Sequence, residues 1–175
     1  MDVEAALAVI EIALQNEIAG QRFYSEASSY CIDLWAKEIF ARLAEDEERH
    51  TQILLGEHES LSSRGEWLHP GDALRAGEGV DITRIPFSAA EPEAELFPPE
   101  WTAANAINRT WDDLAALAFG IDLETAAIAL YEAEAKKVTA AAAIRAFNYL
   151  VTEEKRHYDD LVERWEQLAG VEFER

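Results

Sequence analysis

The sequence predicts an all-α protein made of one helical unit used twice, and three observations predict it. Apolar residues recur at helical spacing on both sides of the chain's middle, in stretches rich in Ala, Leu and Glu without an alternating strand pattern. All five prolines fall between Pro70 and Pro99, and five of the eight glycines between Gly56 and Gly79, which marks a long connection. The two flanking blocks also match at an offset of 107: Leu7 with Leu114, Ala8 with Ala115, Glu17 with Glu124, Ala19 with Ala126 and Tyr24 with Tyr131. The register then continues without a gap through Phe40 and Phe147, Leu43 and Leu150, Glu47 and Glu154, Arg49 and Arg156, His50 and His157, and Leu54 and Leu161.

Taken in order, the first block (about 2–56) is too long for one ordinary helix, so it reads as a helical hairpin with Asp33 as candidate N-cap of its second helix. A crossover of about 57–104 follows, with room for a short helix or flap near EWLHPGDALRAG, and with His58 and His69 read as surface or linker residues. The second block (about 105–168) reads as the same hairpin with Thr139 as candidate N-cap. An unbroken helix through KKVTAAAAIRAF is the alternative that its alanines allow. Trp35, Trp101, Trp111 and Trp165 are expected in the core or an interface.

A chain of 175 residues with 49% hydrophobic side chains buries a sizeable core and reads as a single domain over 1–175. Its formal charge of −20 repels nucleic acid and anionic membrane surfaces and attracts small cations. Cys31 is the only cysteine, which excludes an intrachain disulfide and a site built on several thiolates, and points to the cytoplasm. The opening MDVEAALAVIEIALQNE carries Asp2, Glu4 and Glu11 and no basic start, so it reads as a helix rather than a signal peptide, and no uninterrupted apolar run suits a membrane span.

The stretch EDEERH crowds four acids before His50, and chemistry explains it better than a solvated helix face. Glu47 and His50 are i and i+3 on one helix face, and Glu154 with His157 repeats them. Glu66 and His69 share that spacing but run into Pro70 without a counterpart, and are read as an accident. In an antiparallel hairpin, residues equidistant from the turn lie level; the midpoint of 17 and 47 is Ile32, and that of 124 and 154 is Thr139. Each hairpin therefore sets one lone Glu beside one Glu-x-x-His. Two hairpins gather four carboxylates and two imidazoles, a set too costly to bury without cations. Oxygen and imidazole ligands without sulfur suit iron or manganese.

On these motifs the chain resembles the ferritin-like superfamily, and rubrerythrin-like proteins most closely, over about 1–56 and 105–168. The resemblance implies a ferritin-like four-helix bundle with a long crossover and two iron ions, with Mn or Zn as possible substitutes. It implies Glu17 and Glu124 as terminal ligands, Glu47 and Glu154 as bridges, and His50 and His157 as one nitrogen ligand each. Tyr24 and Tyr131 become partners of ligand carboxylates, with core packing as the alternative, and Asp46 and Glu153 are placed to orient the imidazoles. The implied function is a di-iron oxidoreductase that oxidises Fe(II) or reduces peroxide or dioxygen, as a homodimer or higher homo-oligomer. Iron storage or delivery is the alternative, and a hydroxylase a more distant one. No rubredoxin module is present, so a separate electron donor is implied. The additional glutamate of rubrerythrins falls on Ala127, with Gly20 as its repeat equivalent.

Overall fold

The computed structural model describes residues 3–85, 87 and 112–173. It is all-helical, with no strand among the described residues. Its elements are α1 (Val3–Tyr30), α2 (Leu34–Arg64), α3 (Pro70–Gly77), a 3-10 turn (Ile82–Arg84), α4 (Asp113–Lys137) and α5 (Ala141–Ala169). Trp101, Trp111, Pro86, Pro92, Pro98, Pro99 and the expected start of the second block at 105 lie outside the described residues.

The apolar core falls into two clusters separated along the long helices. One gathers Ile10, Leu14, Leu54, Tyr131, Phe147 and Leu150; the other gathers Phe23, Tyr24, Phe40, Leu43, Leu117, Ile121 and Leu161. Between them each long helix carries buried polar residues: Glu17 on α1, Glu47 and His50 on α2, Glu124 on α4, and Glu154 and His157 on α5. Apolar burial at roughly 25 cal/mol per Å² on both sides holds the helices in place around a layer that opposes folding by itself.

The first turn is built as read. Asp33 caps α2 by accepting the Ala36 N–H at 2.7 Å. It is clamped from outside, because Asp113 accepts the N–H groups of Ile32 and Asp33 at 3.0 and 2.7 Å, and Arg164 Nε donates to Asp33 at 2.8 Å. The α1–α2 turn thus lies beside the start of α4 and the last turns of α5. The second turn differs from expectation: the N-cap of α5 is Ala140, with no side-chain capping bond, and Thr139 is exposed. Val138 interrupts the alanine-rich stretch by taking an extended conformation with its side chain buried, so burial of one apolar group makes the break where no hydroxyl cap does.

The first block also runs further than expected. Gly56 does not end α2, which continues to Arg64 and closes on Gly65 in the left-handed region (φ 69°). Gly56 serves close approach: a Cβ there would stand 1.9 Å from the Ala73 carbonyl oxygen of α3, and one on Gly77 would stand 1.8 Å from that of Gln52. The short helix near EWLHPGDALRAG is α3, with Pro70 at its first position and His69 as N-cap, whose Nδ1 accepts the Gly71 N–H at 3.4 Å. Trp35 is 66% exposed rather than in the core, while Trp165 packs edge-on against Phe173. By length and composition α4 could cross a bilayer, yet it carries Asp122, Glu124, Glu132 and Glu134.

Candidate metal centre

The buried polar layer comprises two ligand groups that share members. Ligand atoms of Glu17, Glu47, His50 and Glu154 lie within 4.8 Å of one another, as do those of Glu47, Glu124, Glu154 and His157. Glu47 and Glu154 are common to both groups. None of the six residues is more than 4% exposed. The i,i+3 spacing presents Glu47 with His50, and Glu154 with His157, on one helix face.

Both imidazoles turn Nδ1 inward. His50 Nδ1 lies 3.1 Å from Glu154, 3.3 Å from Glu17 and 3.7 Å from Glu47. His157 Nδ1 lies 3.0 Å from Glu154 and 3.6 Å from both Glu47 and Glu124. The tyrosines cross between the repeats: Tyr24 of α1 donates to Glu124 of α4, and Tyr131 of α4 to Glu17 of α1. Burial, then the charge of the partner carboxylate, raises both phenols well above their ordinary range, so they remain donors.

Asp46 and Glu153 occupy equivalent positions and do different things. Asp46 is buried, meets His157 Nε2 at 3.3 Å, and receives Arg49 at 2.7 Å and Arg156 at 2.8 Å. Glu153 pairs with Arg156 at 3.0 Å and makes no bond to His50.

Burial, then the charges of Glu17 and Glu154, raises Glu47 well above the carboxylate range, and burial with the Glu154 charge pushes Glu124 up to about 8. Burial opposes charge on Glu154 too, but His50 and His157 outweigh it and hold that carboxyl low. Burial likewise disfavours both imidazolium ions, and the surrounding carboxylates outweigh it and raise both histidines. The hydrogen bond from His157 holds Asp46 low.

The donor set fits a metal ion. Buried Glu17 Oε2, Glu154 Oε1 and His50 Nδ1 have no well-formed hydrogen bond, an unusual density of unsatisfied groups that converge on one point. Oxygen donors with imidazole match divalent iron, manganese or zinc, and two divalent ions offset the charge of four carboxylates.

A cavity of ≈ 30 Å³ adjoins the layer between α1 and α4, lined by Glu17, Gly20, Glu47, Glu124, Ala127 and Glu154 among others. That is room for about two water-sized molecules. Asn16, also on its wall, carries a buried Nδ2 without a hydrogen-bond partner. Sequence reasoning missed this residue, and no signal marked it, since its repeat equivalent is Leu123. It also missed Glu57, which is buried and accepts the Leu68 N–H at 2.9 Å, tying α2 to the segment before α3. The signal was there: Glu57 follows His50 by seven residues on the buried face of α2. His58 lies outside the centre, 3.7 Å from Glu11. No protein-family model, curated protein or solved structure matches the chain, so the functional reading rests on the site's chemistry.

Proposed function

We propose that the chain is a ferritin-like di-iron oxidoreductase: a four-helix bundle of two hairpins and a crossover that holds two iron ions and passes their electrons to peroxide or dioxygen. The observation that carries this is the sharing of Glu47 and Glu154 between two otherwise separate buried ligand groups. Two independent mononuclear sites need no common ligands, whereas a dinuclear centre needs carboxylates that reach both ions. The position of the α1–α2 turn beside the start of α4 supports the topology, because α2 and α4 then start at the same end and their connection must travel the bundle's length.

In this reading Glu17 with His50, and Glu124 with His157, would hold one ion each, and Glu47 and Glu154, common to both groups, would serve both. A bound ferrous pair supplies two electrons, which with two protons reduce peroxide to water or dioxygen to peroxide. The chain's own part is to orient and to exclude water. Tyr131 and Tyr24 fix the rotamers of Glu17 and Glu124 by O–H donation, and the two apolar clusters close the layer above and below. The cavity between α1 and α4 has room for a molecule of about two heavy atoms beside the layer. Ala127 on its wall offers no additional carboxylate, so the same set of ligand types would be available to each ion.

A second reading, handling of Fe²⁺ as substrate for storage or delivery, is favoured by one observation, the formal charge of −20, which concentrates cations at the surface. Anaerobic loading with Fe²⁺ followed by stopped-flow mixing with peroxide and, separately, with dioxygen tests the proposal. Both oxidants should react measurably. No oxidation of a folded, loaded sample by either would overturn it, and a peroxide rate several orders of magnitude above the dioxygen rate would remove the ferroxidase reading.

A further inference from the structure

We infer that the two positions of the centre are unequal: a divalent cation held by His157 binds more tightly than one held by His50, because only His157 is anchored from behind. The inference rests on the dinuclear reading above and adds to it a resident ion and an exchangeable one.

The repeat supplies an internal control. His50 and His157 are equivalent, fully buried, and turn the same nitrogen toward the same two shared carboxylates. Their outer nitrogens differ. His157 Nε2 donates to Asp46, an acid 3% exposed that is itself fixed by two guanidinium groups. Such a bond puts the imidazole proton on Nε2, leaves the Nδ1 lone pair free for a cation, and raises its donor strength. His50 Nε2 is buried with no hydrogen-bond partner. The acid that duplication would place there, Glu153, turns to Arg156 instead. Arg156 also reaches Asp46, so the arginines of both repeats converge on one acid. The Tyr149 ring packs edge-on to His50, with centroids 6.4 Å apart. To offer Nδ1 to a cation, His50 must carry its proton on an Nε2 that no protein acceptor receives, which costs affinity at that position alone.

Loss of such an outer partner typically weakens a metal site about 10- to 100-fold. For an iron-handling protein this makes the His50 position the one that fills last and empties first.

Calorimetric titration of the metal-free full-length chain with Co²⁺ tests the inference. We expect two ions per chain with Kd values about 10- to 100-fold apart. Repulsion between neighbouring ions also splits Kd values, so the variants decide. Asp46→Ala should weaken the tighter ion about 10- to 100-fold and draw the two Kd values together, with Asp46→Asn between it and wild type, while Glu153→Ala should leave both unchanged. Folding should survive, because Arg49 and Arg156 are 43% and 46% exposed and remain solvated without Asp46. In protein loaded with one Co²⁺ per chain, the proton NMR spectrum should show one paramagnetically shifted, slowly exchanging imidazole N–H. Asp46→Ala should abolish it; a purely structural effect would not. Equal affinities in the wild type, a split that Asp46→Ala leaves undiminished, or the same loss in Glu153→Ala would each overturn the inference. Fewer than two ions on folded wild type would instead overturn the dinuclear reading.

Discussion

The two helix pairs carry the same Glu, Glu-x-x-His set but support it with different neighbours. In the first pair Asp33 caps α2 and is clamped by Asp113 and Arg164; in the second, the N-cap of α5 is Ala140, which makes no side-chain capping bond. Asp46 holds an imidazole and Glu153 does not. Even the shared carboxylates diverge: Glu154 lies 3.1 and 3.0 Å from the two imidazoles and Glu47 3.7 and 3.6 Å, and their acidities shift in opposite directions. A layer that is to hold metal needs matched donor types at one height, whereas each surrounding contact needs only to leave the layer in place. Symmetry therefore holds at the ligands and fades outward.

The strongest way to break this comparison is to remove ligands pair by pair. Glu47→Ala and Glu154→Ala should each weaken both ions by more than about 100-fold, since losing only an outer partner already costs about 10- to 100-fold. Glu17→Ala and Glu124→Ala should each cost chiefly one ion. Metal analysis of reconstituted protein checks the stoichiometry. If the shared and unshared glutamates behaved alike, two independent sites would replace the dinuclear one.

The opposed carboxylates sharpen the comparison through pH. Glu47, Glu124, His50 and His157 all have folded acidities raised above their unfolded values, so what they add is complete below about pH 4.3 for the acids and 6.5 for the histidines and is lost as pH rises. Glu154 and Asp46 are lowered, so their contribution is present above about pH 4 and lost as pH falls. The metal-free protein should therefore be most stable at about pH 4 to 4.5 and lose Tm from there toward about pH 8 while remaining helical by circular dichroism. Metal displaces those protons, so the loaded protein should gain Tm over the same interval. A metal-free Tm that rises from pH 6 to 8, or helix lost on chelation, would contradict this account.

The residues that meet in the buried layer were legible because duplication converts a common spacing into a registered one: Glu47 and His50 alone mean little, but with Glu154, His157, Glu17 and Glu124 at the same offset they mark a layer. The helical class followed from periodicity. Glycine was less legible, since Gly56 reads as a breaker in sequence and as a close-contact surface for α3 in space. That Asp46 orients an imidazole was legible, but not which one, because His157 lies 111 residues away on α5 and the pairing depends on how the helices rotate when they pack. Thr139 misled because capping propensity is local, while the break is made by burial of Val138.

The turns allow a smaller test. Asp33→Ala removes the α2 cap and should cost about 1–2 kcal/mol, whereas Ala140→Asp supplies a missing cap and should gain about 0.5–1 kcal/mol. Urea unfolding of the metal-free protein measures both. Equal and negligible effects would mean that tertiary packing alone sets the turns, and that the difference between Asp33 and Ala140 carries no energy.

The smallest effect is expected where the repeats differ by one methyl group, at Gly20 and Ala127. Gly20 sits inside α1 with its Cα facing the layer, and a Cβ there would meet Glu47 Cδ at 3.5 Å and Cγ at 3.7 Å, ordinary van der Waals contact. Nothing in the fold requires glycine, because the residue is helical and its φ is not in the left-handed region. Gly20→Ala should stabilise the metal-free protein by about 0.5–1 kcal/mol, the usual gain from replacing a helix-interior glycine. At roughly 2–4 °C of Tm per kcal/mol for a chain of this size, the change is measurable by calorimetry. Both Kd values for Co²⁺ should stay where they are, since Glu47 keeps its position. Oxidation of the ferrous-loaded protein should nevertheless slow, because the new methyl takes up part of a cavity of only ≈ 30 Å³ on the wall that Gly20 and Ala127 share. An unchanged oxidation rate in a stabilised variant would show that the oxidant arrives by another face. Loss of an ion would show that α1 moved, and that glycine at position 20 is there for the approach of Glu47 after all.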